Sequence, residues 1–292
     1  MSHFRRPFLL VAAVSALVAV AACAPTDDNT SPVTGTSATS GGSSCDKAGL
    51  KLVTAGKLTV GTDSPAFEPW FSDNKPSNGK GFESAVAYAV AQKLGFAQSD
   101  VAWTTVPFNS SFAPGRKKFD FDINQISITP ERQKAVDFSA GYYTVTQAVV
   151  ALNDSKVANA TTLAELKDAK LGAQIGTTSL QAIQSAVKPS KQPAIYNDNN
   201  DVKSALQNGT IDAAVFDLPT SFFLTAAEIK DSKIVGQFPS SGAAEQFGLL
   251  FEKGNPLVTC VNTALSALRA DGTLAKIQDQ WLAAAAGAPV LK

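Results

Sequence analysis

The chain has 292 residues, 45% of them hydrophobic, with 25 basic and 25 acidic side chains. That is enough for two modest domains with real cores, and no basic face points to nucleic acid. His3 is the only histidine and lies in the first 22 residues, whose removal leaves 23 basic against 25 acidic residues; a histidine triad, a histidine-ligated zinc site and a histidine general base are then excluded.

The chain opens with Arg5 and Arg6, a fifteen-residue run from Phe8 to Ala22, and then Cys23. The run falls short of the roughly 20 residues of a spanning helix and reads as an export signal. Val20-Ala21-Ala22-Cys23 resembles the bacterial lipobox, in which the cysteine is lipidated and heads the mature chain. The alternative is a plain secretory signal cleaved nearby. Arg5-Arg6-Pro7-Phe8-Leu9 also resembles a twin-arginine signal with Phe4 where Ser or Thr is expected, so either export route stays open. Residues 24–44, rich in Thr, Ser, Gly, Asp and Pro, read as a disordered tether. Two cysteines remain, Cys45 at the start of the body and Cys260 near the start of the last helix. In an oxidising compartment they are expected to pair, the alternative being two separate buried thiols.

Strands and helices then alternate. Lys57–Thr62 reads as a strand, and Phe82, Ala85, Val86, Ala89, Val90 and Leu94 recur at helical spacing before Gly95. Val101–Val106 is a second strand. Phe119, Phe121 and Ile123 alternate with Asp120, Asp122 and Asn124, which predicts a strand continuing toward Ile126. Thr129 stands where an N-cap belongs, with Pro130 at the first helical position. Arg132 in that first turn can lean back over the strand end, where a guanidinium suits a carboxylate. The plain alternative is a surface ion pair.

Ala148–Leu152 is a strand leaving this unit. The second cycle has a short helix at Leu163–Leu166, a strand at Lys170–Ile175 and a turn through Gly176, Thr177, Thr178 and Ser179 into a helix at Leu180–Val187. It continues with a helix at Val202–Gln207 ending at Asn208-Gly209, and a strand at Ile211–Phe216 closed by Asp217-Leu218-Pro219. Phe247–Phe251 returns as a strand, and Val258–Leu282 holds one or two helices. The alternation predicts an α/β fold with mostly parallel sheets, whose ligands sit at the carboxyl ends of strands. Asp63, Arg132, Thr178 and Asp217 fall at such ends. Each has a structural alternative: an Asx-turn for Asp63, helix capping for Thr177, Thr178 or Ser179, and an N-cap for Asp217. Together they supply a cation for a carboxylate and an acid for an amine.

Seven runs in order carry a resemblance that covers Lys57 to Leu282: Leu58–Asp63, Gly79–Glu83, Ser127–Arg132, Val136–Ser139, Ile175–Thr178, Gly209–Ala213 and Asp271–Leu274. They resemble the polar-amino-acid-binding family of solute-binding proteins that feed ABC importers. The resemblance implies a periplasmic-binding-protein type II fold: two lobes joined by two strands, closing on ligand by a hinge. On this reading residues 45–149 and 246–292 form lobe one and 150–245 lobe two.

It also implies roles. Arg132 takes the ligand carboxylate, helped by Thr178 and its neighbour Thr177; Asp217 takes the α-ammonium with Ser127; Asp63 lines the side-chain end; Phe67 or Trp70 forms an aromatic wall, the alternative for both being ordinary packing of an exposed loop. Asn124 and Gln125 stand where the family has small residues, so they narrow the pocket or bond the ligand. The implied function is capture of an α-amino acid, polar or cationic, and delivery to an ABC permease. The protein would be a lipid-anchored monomer outside the cytoplasm, with no cofactor or metal. Two other readings remain: a dehydratase-like enzyme of the same fold, with Glu83 or Asp63 as general acid, and a ligand sensor docking to a membrane receptor.

Overall fold

The computed structural model describes residues 45–240, 242–283 and 287–292. The export signal, the lipidation site Cys23 and the tether of residues 24–44 lie outside them. From Cys45 onward the chain builds, in order, β1 (Leu58–Thr62), α1 (Phe82–Lys93), β2 (Val101–Thr105), α2 (Phe108–Ser111), β3 (Phe121–Asp122), α3 (Pro130–Gln133), β4 (Val136–Phe138) and β5 (Tyr143–Thr144). Then come β6 (Gln147–Leu152), β7 (Leu171–Gln174), α4 (Thr178–Ala182), β8 (Ala194–Tyr196), α5 (Asn199–Gln207), β9 (Ala213–Asp217), α6 (Leu218–Phe223) and β10 (Ser232–Gln237). The chain returns through β11 (Gln246–Phe247), β12 (Leu250–Glu252), α7 (Leu257–Ala270) and α8 (Thr273–Leu282).

Two five-stranded sheets result, ordered β2-β1-β3-β12-β4 and β10-β6-β9-β7-β8. In the first only β12 runs against the rest, and in the second only β6 does, so the sheets are mostly parallel as expected. The two reversed strands are those that carry the chain away from the first lobe and back to it. Between the lobes β5 and β11 pair as a two-stranded ribbon, Thr144 opposite Gln246 and Tyr143 opposite Phe247. This is the two-strand hinge.

The first lobe packs Phe82, Val86 and Val90 of α1 with Trp70, Phe71, Phe121, Phe247 and Leu265. The second lobe has a core on each face of its sheet. Val149, Leu171 and Val215 meet Leu180 and Ile183, while Val150, Ala214 and Phe216 meet Val202 and Leu206. Adjacent residues face opposite sides of a strand, so a sheet covered on both faces needs the continuous apolar runs read at Ala148–Leu152 and Ile211–Phe216. Cys45 and Cys260 are disulfide-bonded, fastening the first described residue to α7.

Four readings need correction. The strand expected from Phe119 to Ile126 shrinks to two residues, and its polar side is buried as well: Asp120, Asp122 and Asn124 are at most 6% exposed. Asp120 is used by the fold, accepting the Val53 and Thr59 N–H groups at 2.8 and 2.6 Å. The expected helix Leu180–Val187 begins earlier, at Thr178, and widens into a π-helical turn over Ile183–Val187. Two strands, β8 and β10, went unread, because Ala194–Tyr196 is only three residues long and Ser232–Gln237 carries no apolar alternation.

The fourth correction concerns the lobe boundaries. Gln147–Val149 already pair within the second sheet. Past Leu282, which packs in the first core, residues 288–292 lie on the second lobe. Leu291 joins that core, Gln237 N–H donates to the Pro289 carbonyl at 2.7 Å, and Lys292 N–H donates to the Thr161 carbonyl at 3.0 Å. Among the described residues, then, those on either side of the start of β6, of the start of β11 and of 284–286 belong to different lobes.

Candidate functional site

A cleft at the junction is lined from the first lobe by Asp63, Phe67, Phe108, Asn124, Gln125 and Arg132. The second lobe contributes Gln174, Thr177, Thr178, Ser179, Asn199, Phe216 and Asp217. The lobes touch across it. Arg132 Nη2 donates to the Gly176 carbonyl at 2.9 Å, and Trp70 Nε1 donates to Thr220 Oγ1 at 2.9 Å. The form described is thus closed.

Local sequence sets Arg132. Thr129 caps α3 by accepting the Arg132 N–H at 3.2 Å, which holds the residue in the first turn. From there the guanidinium turns back: Nη1 donates to the Ser127 carbonyl at 2.7 Å while Nη2 crosses to Gly176. The rings of Phe108 and Phe112 flank it at 5.4 and 4.6 Å, within cation–π range. Two of its five N–H groups are used in these bonds. Burial pulls its pKa down to about 10 against the opposing pull of Glu245 and Asp217, so it remains a cation at neutral pH.

Asp217 occupies the N-cap position of α6, yet its side chain makes no capping bond. It accepts instead from Gln147 Nε2 at 2.7 Å. Enclosure in the closed cleft, followed by repulsion from Glu245, pushes its pKa up to about 8. An aspartate raised this far gains most from a cation placed beside it. Asp63 lies across the cleft. Its Oδ1 accepts the Ser64 N–H at 2.7 Å, as in the turn reading, and Oδ2 accepts the Phe108 N–H at 3.0 Å. Burial raises its pKa too.

Thr177 serves the fold with its hydroxyl, accepting from Leu180 N–H at 3.1 Å and donating to the Gln174 carbonyl at 2.7 Å. The Thr178 hydroxyl lies 3.4 Å from Ser127 Oγ and 3.3 Å from Gln147 Nε2, so it bridges the lobes. Asn124 reaches the cleft with its buried Nδ2 unpartnered. Gln125, at φ 49°, has both its backbone N–H and its side-chain amide held by Glu83. The Tyr142 hydroxyl donates to the same carboxylate. Glu83 is wholly buried and its pKa is pushed up to about 7 by that burial. It acts from beneath the cleft and does not line it.

Trp70 is not an aromatic wall. It is fully buried, edge-on to Phe82 and Phe247, with its indole N–H spent on Thr220. The short spacing after Asp63 offers two aromatics, and only Phe67 reaches the cleft. Phe108 and Phe216 supply the other rings. Phe108 follows the end of β2 at Val106-Pro107, a strand-end position that sequence reasoning passed over. Gln147 and Glu245 were also missed, because both act at the lobe junction and neither belongs to a motif.

A family model for bacterial extracellular solute-binding proteins, family 3, matches residues 58–284. The chain belongs to this family. The ABC transporter arginine-binding protein 1 of Escherichia coli (strain K12) is 30% identical over 238 residues, covering 78% of this chain and 91% of that protein. The structure of an ancestral arginine-binding protein bound to glutamine superposes with a TM-score of 0.66 at 31% identity, covering 78% of this chain and 98% of the other. The ancestral amino acid-binding protein AncCDT-1, a precursor of cyclohexadienyl dehydratase, gives a TM-score of 0.65 at 30% identity over 78% and 95% of the two chains. Asp63 and Arg132 follow strands of the first sheet, while Thr178 follows β7 and Asp217 ends β9 in the second.

Proposed function

We propose that this solute-binding protein captures an α-amino acid, polar or cationic, between its lobes and delivers it to an ABC importer. The observation that carries the reading is a cation from one lobe and an acid from the other on one closed cleft. Arg132 would hold the carboxylate with Thr178, and Asp217 the ammonium with Ser127. Asp63, Asn124 and Gln125 would meet the ligand's side chain against Phe67 and Phe108. Asp217 and Glu245 act on the Arg132 guanidinium and Asp63 lines the same cleft, and this excess of acid favours a cationic side chain. The relatives named for arginine support the same choice.

Cys23 would anchor the protein outside the cytoplasm, with residues 24–44 as tether and a monomeric body. The likeness to a dehydratase precursor keeps an enzyme in view, but Glu83, tied to Gln125 and Tyr142, is removed from the cleft as a general acid. A thermal-shift screen of residues 45–292 against the common amino acids tests the reading. At a hundredfold excess over Kd a true ligand adds about 2.7 kcal/mol of stability. Raised melting by one or a few α-amino acids is expected, and no shift with any of them would overturn it.

A further inference from the structure

Glu245 lies in the return crossing just before β11, where its backbone carbonyl accepts the Val145 N–H at 3.0 Å. Its side chain turns inward to the junction. Oε1 accepts the Ser127 hydroxyl at 2.5 Å, and Gln147 Nε2 lies 3.3 and 3.4 Å from its two oxygens. Gln147 Oε1 is already occupied by the Ser179 hydroxyl, and Nε2 gives one hydrogen to Asp217 and shares the other between Glu245 and the Thr178 hydroxyl oxygen at 3.3 Å. An ionised carboxylate can only accept. The directions follow: Ser179 donates to Gln147, Gln147 to Asp217 and, shared with Thr178, to Glu245, and Ser127 to Glu245.

Ser127 has therefore spent its proton. Its carbonyl is likewise committed, to Arg132. What Ser127 Oγ offers across the junction, toward Thr178, is lone pairs alone. Asp217, next to it through Gln147, also has only acceptors to offer when ionised. Resting on the amino-acid-binding reading above, we propose that Glu245 is a positioning residue for the ligand's ammonium group. It fixes Ser127 as an acceptor and adds a second negative charge beside Asp217, so that this subsite takes a hydrogen-bond-donating cation and rejects a ligand without one.

The test is calorimetry on the body with two pairs of probes: arginine with its deaminated analogue 5-guanidinopentanoate, and glutamine with deaminated glutamine. The quantity read is the affinity ratio within a pair. Glu245→Ala is expected to shrink the ratio at least tenfold, and Glu245→Gln, which keeps an acceptor for Ser127, to recover part of it. In a Ser127→Ala background the Glu245→Gln change should have a smaller effect than in the wild type. Thermal melts confirm that each variant folds. An unchanged ratio, or equal weakening of both members of a pair, overturns the inference while leaving the binding reading intact. A wild-type protein that binds no amino acid overturns both.

Discussion

Gly176 offers a way to separate closure from folding. It sits at φ +75° on the second lobe, and a Cβ built there would lie 2.1 Å from Asn109 Oδ1 of the first. Gly176→Ala thus carries two costs that fall on different measurements. The left-handed backbone costs alanine about 1–2 kcal/mol whether the cleft is open or shut. That cost should lower the melting temperature by roughly 2–8 °C. The clash exists only when the lobes meet. Relieving it means driving Asn109 off its rotamer, at about 0.5–1.5 kcal/mol, or giving up part of the Arg132 contact to the Gly176 carbonyl, at about 1.5–3 kcal/mol. A closed-state cost of about 2 kcal/mol corresponds to a Kd roughly 30-fold weaker. Calorimetric titration with the ligand from the screen reads this directly. Asn109→Ala in the same chain removes the obstructing oxygen and should restore most of the affinity without restoring the melting temperature. If Gly176→Ala binds like the wild type, or if the double variant remains as weak as the single one, closure does not bring these two residues together.

Arg132→Lys keeps a charge but loses the planar fork, and should weaken ligand binding by about a hundredfold, in line with the 2–5 kcal/mol of a buried charged contact; near-normal titration would sink its assigned role. Asp217, with its pKa up to about 8, must ionise to hold an ammonium. A raised carboxylate makes the closed form less stable as pH rises from about 4 to 8, so pairing it with an ammonium releases a proton. Affinity should climb across that window by at most tenfold per unit, and Asp217→Asn should flatten the profile. The Cys45–Cys260 bond closes a stretch of 215 residues, for which chain entropy sets a ceiling of about 5 kcal/mol. Reduction should lower the melting temperature by about 10 °C, and an unchanged melt would show that the bond contributes little.

The readable features of the site were those with local causes. Arg132 was legible because Thr129 and Pro130 fix a helix start within a few residues of it. Asp217 was legible as a strand end, though nothing in Asp217-Leu218-Pro219 says that its carboxylate ignores the cap. The mostly parallel sheets followed from the order of apolar runs, whereas β8 is too short and β10 too polar to carry a period. Trp70 failed because an aromatic side chain fills a core and walls a pocket equally well, and only the tertiary partner Thr220 separates the two. Glu245 and Gln147 were invisible for a different reason. Their meeting with Ser127 is made by two crossings far apart in sequence, in a stretch, Gly242–Glu245, with neither apolar period nor turn signature.

The seats of residues 45 and 292 give the body a mechanical character. Residue 45 is bonded through Cys260 to the first lobe, while residue 292 is clamped to the second by its exchange with Thr161 and Leu163. A pull applied between these two residues therefore falls first on the bonds that seat residues 288–292 on the second lobe. Fluorophores at the same two places would report the stroke of the hinge, and a cargo fused after residue 292 would travel with the swinging half whenever the other half is held still.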